Sequence, residues 1–127
     1  MTGYVGNIEE LTLANTNFRQ VLFTGRHSQL VLMNLNPNED IGMEVHPAVD
    51  QFFRVEEGEG KVIINGEEQS IKDGSAIVVP AGTEHNIINT SSDLYLKLYT
   101  IYTPPQHKDG VVHKTKAEAI ADETDHL

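Results

Sequence analysis

Apolar and polar residues alternate in short runs from Phe18 to Tyr102, the two-residue period of strands that bury one face. The runs are Phe18 to Thr24, Gln29 to Leu35, Ile41 to His46, Gln51 to Val55, Lys61 to Ile64, Glu67 to Ile71, Ala76 to Val79, His85 to Asn89 and Leu94 to Tyr102. Turn formers separate them: Asn36-Pro37-Asn38, Gly58-Glu59-Gly60, Asn65-Gly66, Asp73-Gly74 and Ala81-Gly82. Asn65-Gly66 stands between Val62-Ile63-Ile64 and Glu67 to Ile71, which predicts a two-residue type I′ hairpin. With no helical period between the runs, the pattern predicts antiparallel strands in a sandwich or closed barrel.

The flanks read differently. Asn7 ahead of Ile8-Glu9-Glu10 predicts a single capped helical turn. Pro104-Pro105 ends the last strand, and Thr115-Lys116-Ala117-Glu118 forms a capping box that predicts a short helix fraying toward Leu127. In the last run, alternation places Leu94, Leu96 and Leu98 on the barrel floor and turns Tyr95 and Tyr99 away. Met33 and Met43 are expected to pack.

A chain of 127 residues is the size of one domain, here residues 1–127, with a barrel core of about 18–102 and an extension over 103–127. There is no cysteine, so disulfide and thiolate chemistry are excluded and a reducing cytoplasm is the expected compartment. Met1 to Glu10 is polar and lacks the basic start and apolar run of a secretory signal. No window approaches the ~18 apolar residues of a membrane span. Nineteen acidic against nine basic residues give a formal charge of −10, which repels phosphate backbones and anionic lipid. Neither nucleic acid nor membrane is an expected partner.

Without thiols, a metal must rest on imidazole, carboxylate or amide. Glu44 and His46 are two positions apart in one run, so both project from one face and can reach the same ion. A second imidazole from another strand would complete a set suited to a first-row divalent metal, and His85 is the candidate. In the next run only one of Asp50 and Gln51 can face inward. Gln51, Phe53 and Val55 form the more apolar face, which places Gln51 inside and leaves Asp50 as a solvated strand start. A glutamine carbonyl oxygen can coordinate without adding charge. His27 in its loop and His126 in the tail are expected to be solvated, whereas His107 and His113 come after the barrel in a segment able to fold over its mouth.

The stretch Gly74 to Asn89 resembles the second motif of the cupin superfamily, G(X)5PXG(X)2H(X)3N, with Gly74, Pro80, Gly82, His85 and Asn89 filling every fixed position. Asn38 to Gly58 resembles the first motif, G(X)5HXH(X)3–4E(X)6G, in part. Glu44 stands at the first His, His46 is the second, Gln51 stands at the Glu, Gly58 closes the motif, and Asn38 replaces its opening Gly. The resemblance implies an all-β double-stranded β-helix, or jelly-roll barrel, with short terminal helical segments and one divalent metal near its mouth. By position the implied ligands are Glu44, His46, Gln51 and His85. Two oxygen donors in place of one keep iron, manganese and nickel in play beside zinc. Gly74, Pro80 and Gly82 are turn formers, and Asn89 is expected to bond backbone at a strand end.

The function implied is that of a single-domain metal-binding cupin acting as a metal-dependent enzyme on a small polar molecule, with dioxygenase or isomerase type chemistry. One alternative is a non-catalytic cupin that binds a small ligand or metal. Another is a sugar isomerase of the mannose-6-phosphate isomerase type, although Arg54, Lys61 and Lys72 are too scattered to form a phosphate cluster. Outward Phe52, Tyr95, Tyr99 and Ile101 would leave an apolar patch on a monomer, so a homodimer is expected.

Overall fold

In the computed structural model, which describes residues 2–127, every predicted run but one becomes a strand. These are β1 (Arg19–Thr24), β2 (Gln29–Leu35), β3 (Asp50–Glu57), β4 (Glu59–Ile64), β5 (Glu67–Lys72), β6 (Ala76–Val79), β7 (His85–Asn89) and β8 (Leu96–Thr103). A short β9 (Val112–His113) and two helices, α1 (Ile8–Ala14) and α2 (Lys116–Ala121), complete the chain. The helix at the start is longer than the single turn expected; the Asn7 side chain caps it by accepting from the Glu10 amide.

Two antiparallel sheets enclose the core, one in the order β6-β3-β8-β2-β1-β9 and the other β5-β4-β7. Alternation decides what faces inward. On β3, Gln51, Phe53 and Val55 are buried while Asp50 is exposed and Phe52 and Arg54 are half-buried. Val31, Met33 and Leu35 of β2 and Leu96 and Leu98 of β8 meet them in one apolar cluster that also takes in Val62 of β4 and Ile87 of β7. Burial of that apolar surface is the main favourable term in folding. Where β4 pairs with β7, a Cβ on Gly60 would collide with the Ile88 carbonyl oxygen, so only glycine fits.

Asn65 and Gly66 both have positive φ, as a type I′ hairpin between β4 and β5 requires. Asn38 holds φ at 63°, a conformation that asparagine tolerates. Two packing expectations are corrected. Leu94 is 59% exposed because β8 begins only at Leu96, and Met43 is 51% exposed on an irregular segment that presents no inward face to it.

Asn89 ties the strand ends together. Its buried amide nitrogen donates to the carbonyls of Leu35, Asn36 and Leu94, and its oxygen accepts from the Ser91 amide. An alanine there would strand buried carbonyls, each costing about 1–3 kcal/mol. Asn89→Ala is expected to lower unfolding free energy by roughly 2–4 kcal/mol in urea titrations monitored by circular dichroism.

Candidate metal centre

The run Ile41 to His46 does not form the predicted strand. Gly42 has φ at 103°, and its amide bonds the Asn86 side chain instead of a ladder partner. The chain nevertheless tracks β7 through isolated bonds. The Ile41 amide donates to the Ile87 carbonyl, and Glu44 and His85 exchange two backbone bonds of 2.9 Å. His46 is fixed next, because its carbonyl accepts from the Gly82 amide at 2.9 Å in the turn before His85.

This path brings three of the expected donors together. The Nε2 of His46 lies 3.1 Å from Glu44 Oε2, and the Nε2 of His85 lies 4.0 Å from the same oxygen. One donor atom from each of the three residues falls within 4.8 Å of the others. The His46 and His85 rings are tilted, with centroids 5.6 Å apart. Burial works against ionising Glu44, but the hydrogen bond with His46 and neighbours that include the charged Arg19 outweigh it and hold its carboxyl below the usual value.

Donor chemistry fits a cation. The Nδ1 of His85 sits 3.0 Å from the Thr83 carbonyl oxygen, which can only accept, so Nδ1 carries the proton and Nε2 presents a lone pair. That Nε2 is buried and has no hydrogen-bond partner among the described residues. Gln51, 2% exposed, donates its amide to Thr100 Oγ1 at 2.9 Å, and its Oε1 is likewise buried without a partner among them. Ligands about 2.1 Å from one ion stand about 3.0 Å apart at right angles and at most about 4.2 Å apart. Both measured Glu44 separations lie within those bounds or close to them. Asp50 points to solvent and accepts from the Ala81 amide, in keeping with its expected role at the strand start.

The C-terminal extension builds the wall beside this cluster. β9 pairs with β1, Arg19 opposite His113, and the tail doubles back so that His107 and His126 form an isolated bridge. Both ends of the Gln29 side-chain amide hold the segment, Nε2 donating to the His107 carbonyl and Oε1 accepting from the Gln106 and His107 amides. Helix α2 and Glu44 then line a cavity of about 370 Å³. His27 is exposed as expected. His126 is exposed too, yet its ring lies near that of His107, with centroids 5.7 Å apart.

A buried polar chain runs from the cluster into that wall. The Tyr102 ring meets His46 edge-on at 5.9 Å, its hydroxyl lies 3.1 Å from His107 Nε2, and His107 Nδ1 lies 2.6 Å from Asp125 Oδ2. Burial pushes the Tyr102 hydroxyl above its ordinary value, so it is a neutral donor. Arg19, Tyr102 and Asp125 were not among the expected site residues. Parity marks two of them, since Tyr102 shares the inward register of Leu96 and Leu98, and Arg19 that of Val21. Nothing local marks Asp125, whose place depends on the tail returning to β1.

Comparison with known proteins is consistent with this architecture. The cupin domain family, Cupin_2, matches residues 31–102. The uncharacterized Bacillus subtilis protein YrkC is 51% identical over 126 residues, which cover 94% of this chain and 67% of that protein. A crystal structure of a Bacillus halodurans protein superposes with a TM-score of 0.91 at 49% identity, covering 94% of both chains. A Klebsiella pneumoniae protein described as having a double-stranded β-helix domain superposes at 0.67 with 17% identity, covering 89% of this chain and 99% of that one, and shares the fold.

Burial and the Arg19 charge push the His107 imidazole down to about 4 from 6.5, against the pull of Asp125. Between those values the unfolded chain takes up a proton that the folded chain refuses. The stability contributed by His107 is therefore fully present above pH 6.5 and declines as pH falls toward 4. Melting temperatures measured across that window should fall less steeply with acid in His107→Gln than in the wild type.

Proposed function

The chain belongs to the cupin domain family, and on that premise we propose that it is a metal-binding cupin in which Glu44, His46, His85 and Gln51 hold one divalent ion and present it to a small polar molecule. The observation that carries this is the buried, unpartnered acceptor His85 Nε2 beside the convergent Glu44 and His46, and Gln51 Oε1 is a second buried acceptor without a partner among the described residues. Buried acceptors without donors are costly, and a cation satisfies them at once. Two imidazoles with a carboxylate and an amide oxygen suit iron, manganese, nickel or zinc.

An enzymatic role is favoured over storage because Glu44 opens onto the cavity, and an accessible position is what distinguishes catalytic from closed metal sites. When bound, such an ion supplies Lewis acidity toward a carbonyl or activates water or dioxygen. The protein's part is to hold Glu44 ionised and fix the His85 tautomer through Thr83. A phosphosugar has little support, since Lys116 in the cavity wall is engaged by Asp40 and Arg19 is the other cation there.

Elemental analysis tests the ligands. Purified wild type is expected to carry about one divalent ion per chain and the His46→Ala, His85→Ala double variant at least about tenfold less; Gln51→Ala should weaken binding by on the order of tenfold. Equal metal content in the wild type and the double variant would remove the site. A metal-loaded sample that binds candidate ligands yet never converts them across a substrate panel would favour the storage alternative.

A second copy of this chain is the partner proposed with it. Val78, Phe52, Ile101 and Leu30 lie in register across β6, β3, β8 and β2 on the outer face, and Val78 is 65% exposed. Phe52 is half-buried against Tyr99, at 6.3 Å between rings, with enough surface left to contact a partner. Light scattering should report a dimer for the wild type and a monomer for Phe52→Asp; an unchanged mass rules this face out.

A further inference from the structure

The cavity beside Glu44 carries a positive group that the protein partners only in part. Arg19 is 5% exposed, and it lines the cavity together with Glu44, Phe18 and Ile41. A guanidinium offers five N–H donors in a planar fork. Here Nη1 lies 3.5 Å from His113 Nδ1 and no closer than 4.0 Å to Asp125 Oδ2. Nε is buried and has no acceptor among the described residues. Asp125 is already engaged, with Oδ2 at 2.6 Å from His107 Nδ1 and Oδ1 accepting from the Lys108 amide at 3.3 Å.

A buried guanidinium whose Nε has no acceptor among the described residues, and whose carboxylate contact is 4.0 Å away, is costly, and such a group in a cavity wall marks the place of a missing acceptor. We propose that Arg19 binds the carboxylate of the molecule that occupies this cavity, so that the substrate class is a small monocarboxylic acid whose planar carboxylate is held by the fork. Its other end is directed toward Glu44, which shares the cavity wall, and only that orientation rests on the metal site proposed above.

Charge and shape narrow the class. Glu44, Asp122 and Glu123 share the cavity wall and Lys116 there is engaged by Asp40, so a multiply charged anion is repelled, whereas one carboxylate matches the one guanidinium without a close carboxylate partner. Phe18, Ile41, Ala119 and Ile120 give the wall apolar stretches that suit a short carbon body. A volume of about 370 Å³ lies at the small end of ligand sites, which run from about 300 to 1,000 Å³.

The test is a nuclear magnetic resonance titration of 15N-labelled protein as purified, its metal content measured in parallel, with three probes: pyruvate, its neutral analogue pyruvamide, and inorganic phosphate. Pyruvate is expected to shift the Arg19 Nε–H resonance and the amides around the cavity, with pyruvamide at least about tenfold weaker, as loss of a charge-assisted pair implies. Arg19→Met should abolish the pyruvate response. Arg19→Lys, which keeps the charge and loses the fork, should weaken it at least about fivefold.

Equal binding of pyruvate and pyruvamide, or phosphate binding more tightly than pyruvate, would overturn the assignment. So would a pyruvate affinity unchanged in Arg19→Lys, the variant that decides if Arg19→Met fails to fold. Metal retained without any Arg19-dependent discrimination sinks this inference alone. Arg19-dependent discrimination in protein whose metal content is indifferent to His46 and His85 sinks the metal site alone.

Discussion

Two reciprocal backbone bonds between Glu44 and His85 set the relative positions of the carboxylate and the imidazole at the centre of the candidate site. They bring an irregular segment up against a regular strand, so a carboxylate from one and an imidazole from the other start from adjacent Cα positions. Gly42, at positive φ, interrupts the pairing between Ile41 and Glu44. Breaking the ladder at Gly42 and restoring it at Glu44 lets Glu44 and His46 reach one centre while Val45 stays half exposed. His46 then depends on the Gly82 amide, which places the turn before His85 in the same construction.

Much of the fold was legible because a period of two is a strong signal wherever one face of a strand is buried. Gln51 illustrates it: alternation with Phe53 and Val55 assigned it inward, and it lies buried beside Thr100. Asn89 was likewise placed as a backbone binder at a strand end. Glycine and short solvent-facing stretches erased the signal elsewhere. Ile41 to His46 carries an alternating pattern but is held by single bonds, and Leu94 continues a pattern that the chain has not yet entered as strand.

The wall of the site was harder to read, since it is made by residues distant in sequence. His107 and His113 were read only as part of a segment able to fold over the mouth, and their depth of burial comes from Gln29, Asp125 and Asp122. These partners carry no mutual spacing that a linear reading can detect. One consequence is that Arg19 exerts its field on Glu44, Tyr102 and His107 together, coupling the cluster to the tail electrostatically even where no side chains touch.

The tail also decides how the molecule behaves among its own kind. β1 would be the outermost strand of the larger sheet were it not for Val111, β9 and Lys114, which take up the backbone groups of Phe18 to Val21. Elsewhere the exposed borders are either charged, as Glu67 and Glu68 make β5, or only four residues long, as in β6. A molecule clipped after Pro105 would present an open row of amides and carbonyls on β1, a template for growth by strand addition from one chain to the next. The residues beyond Pro105 thus cover that edge as well as shaping the pocket.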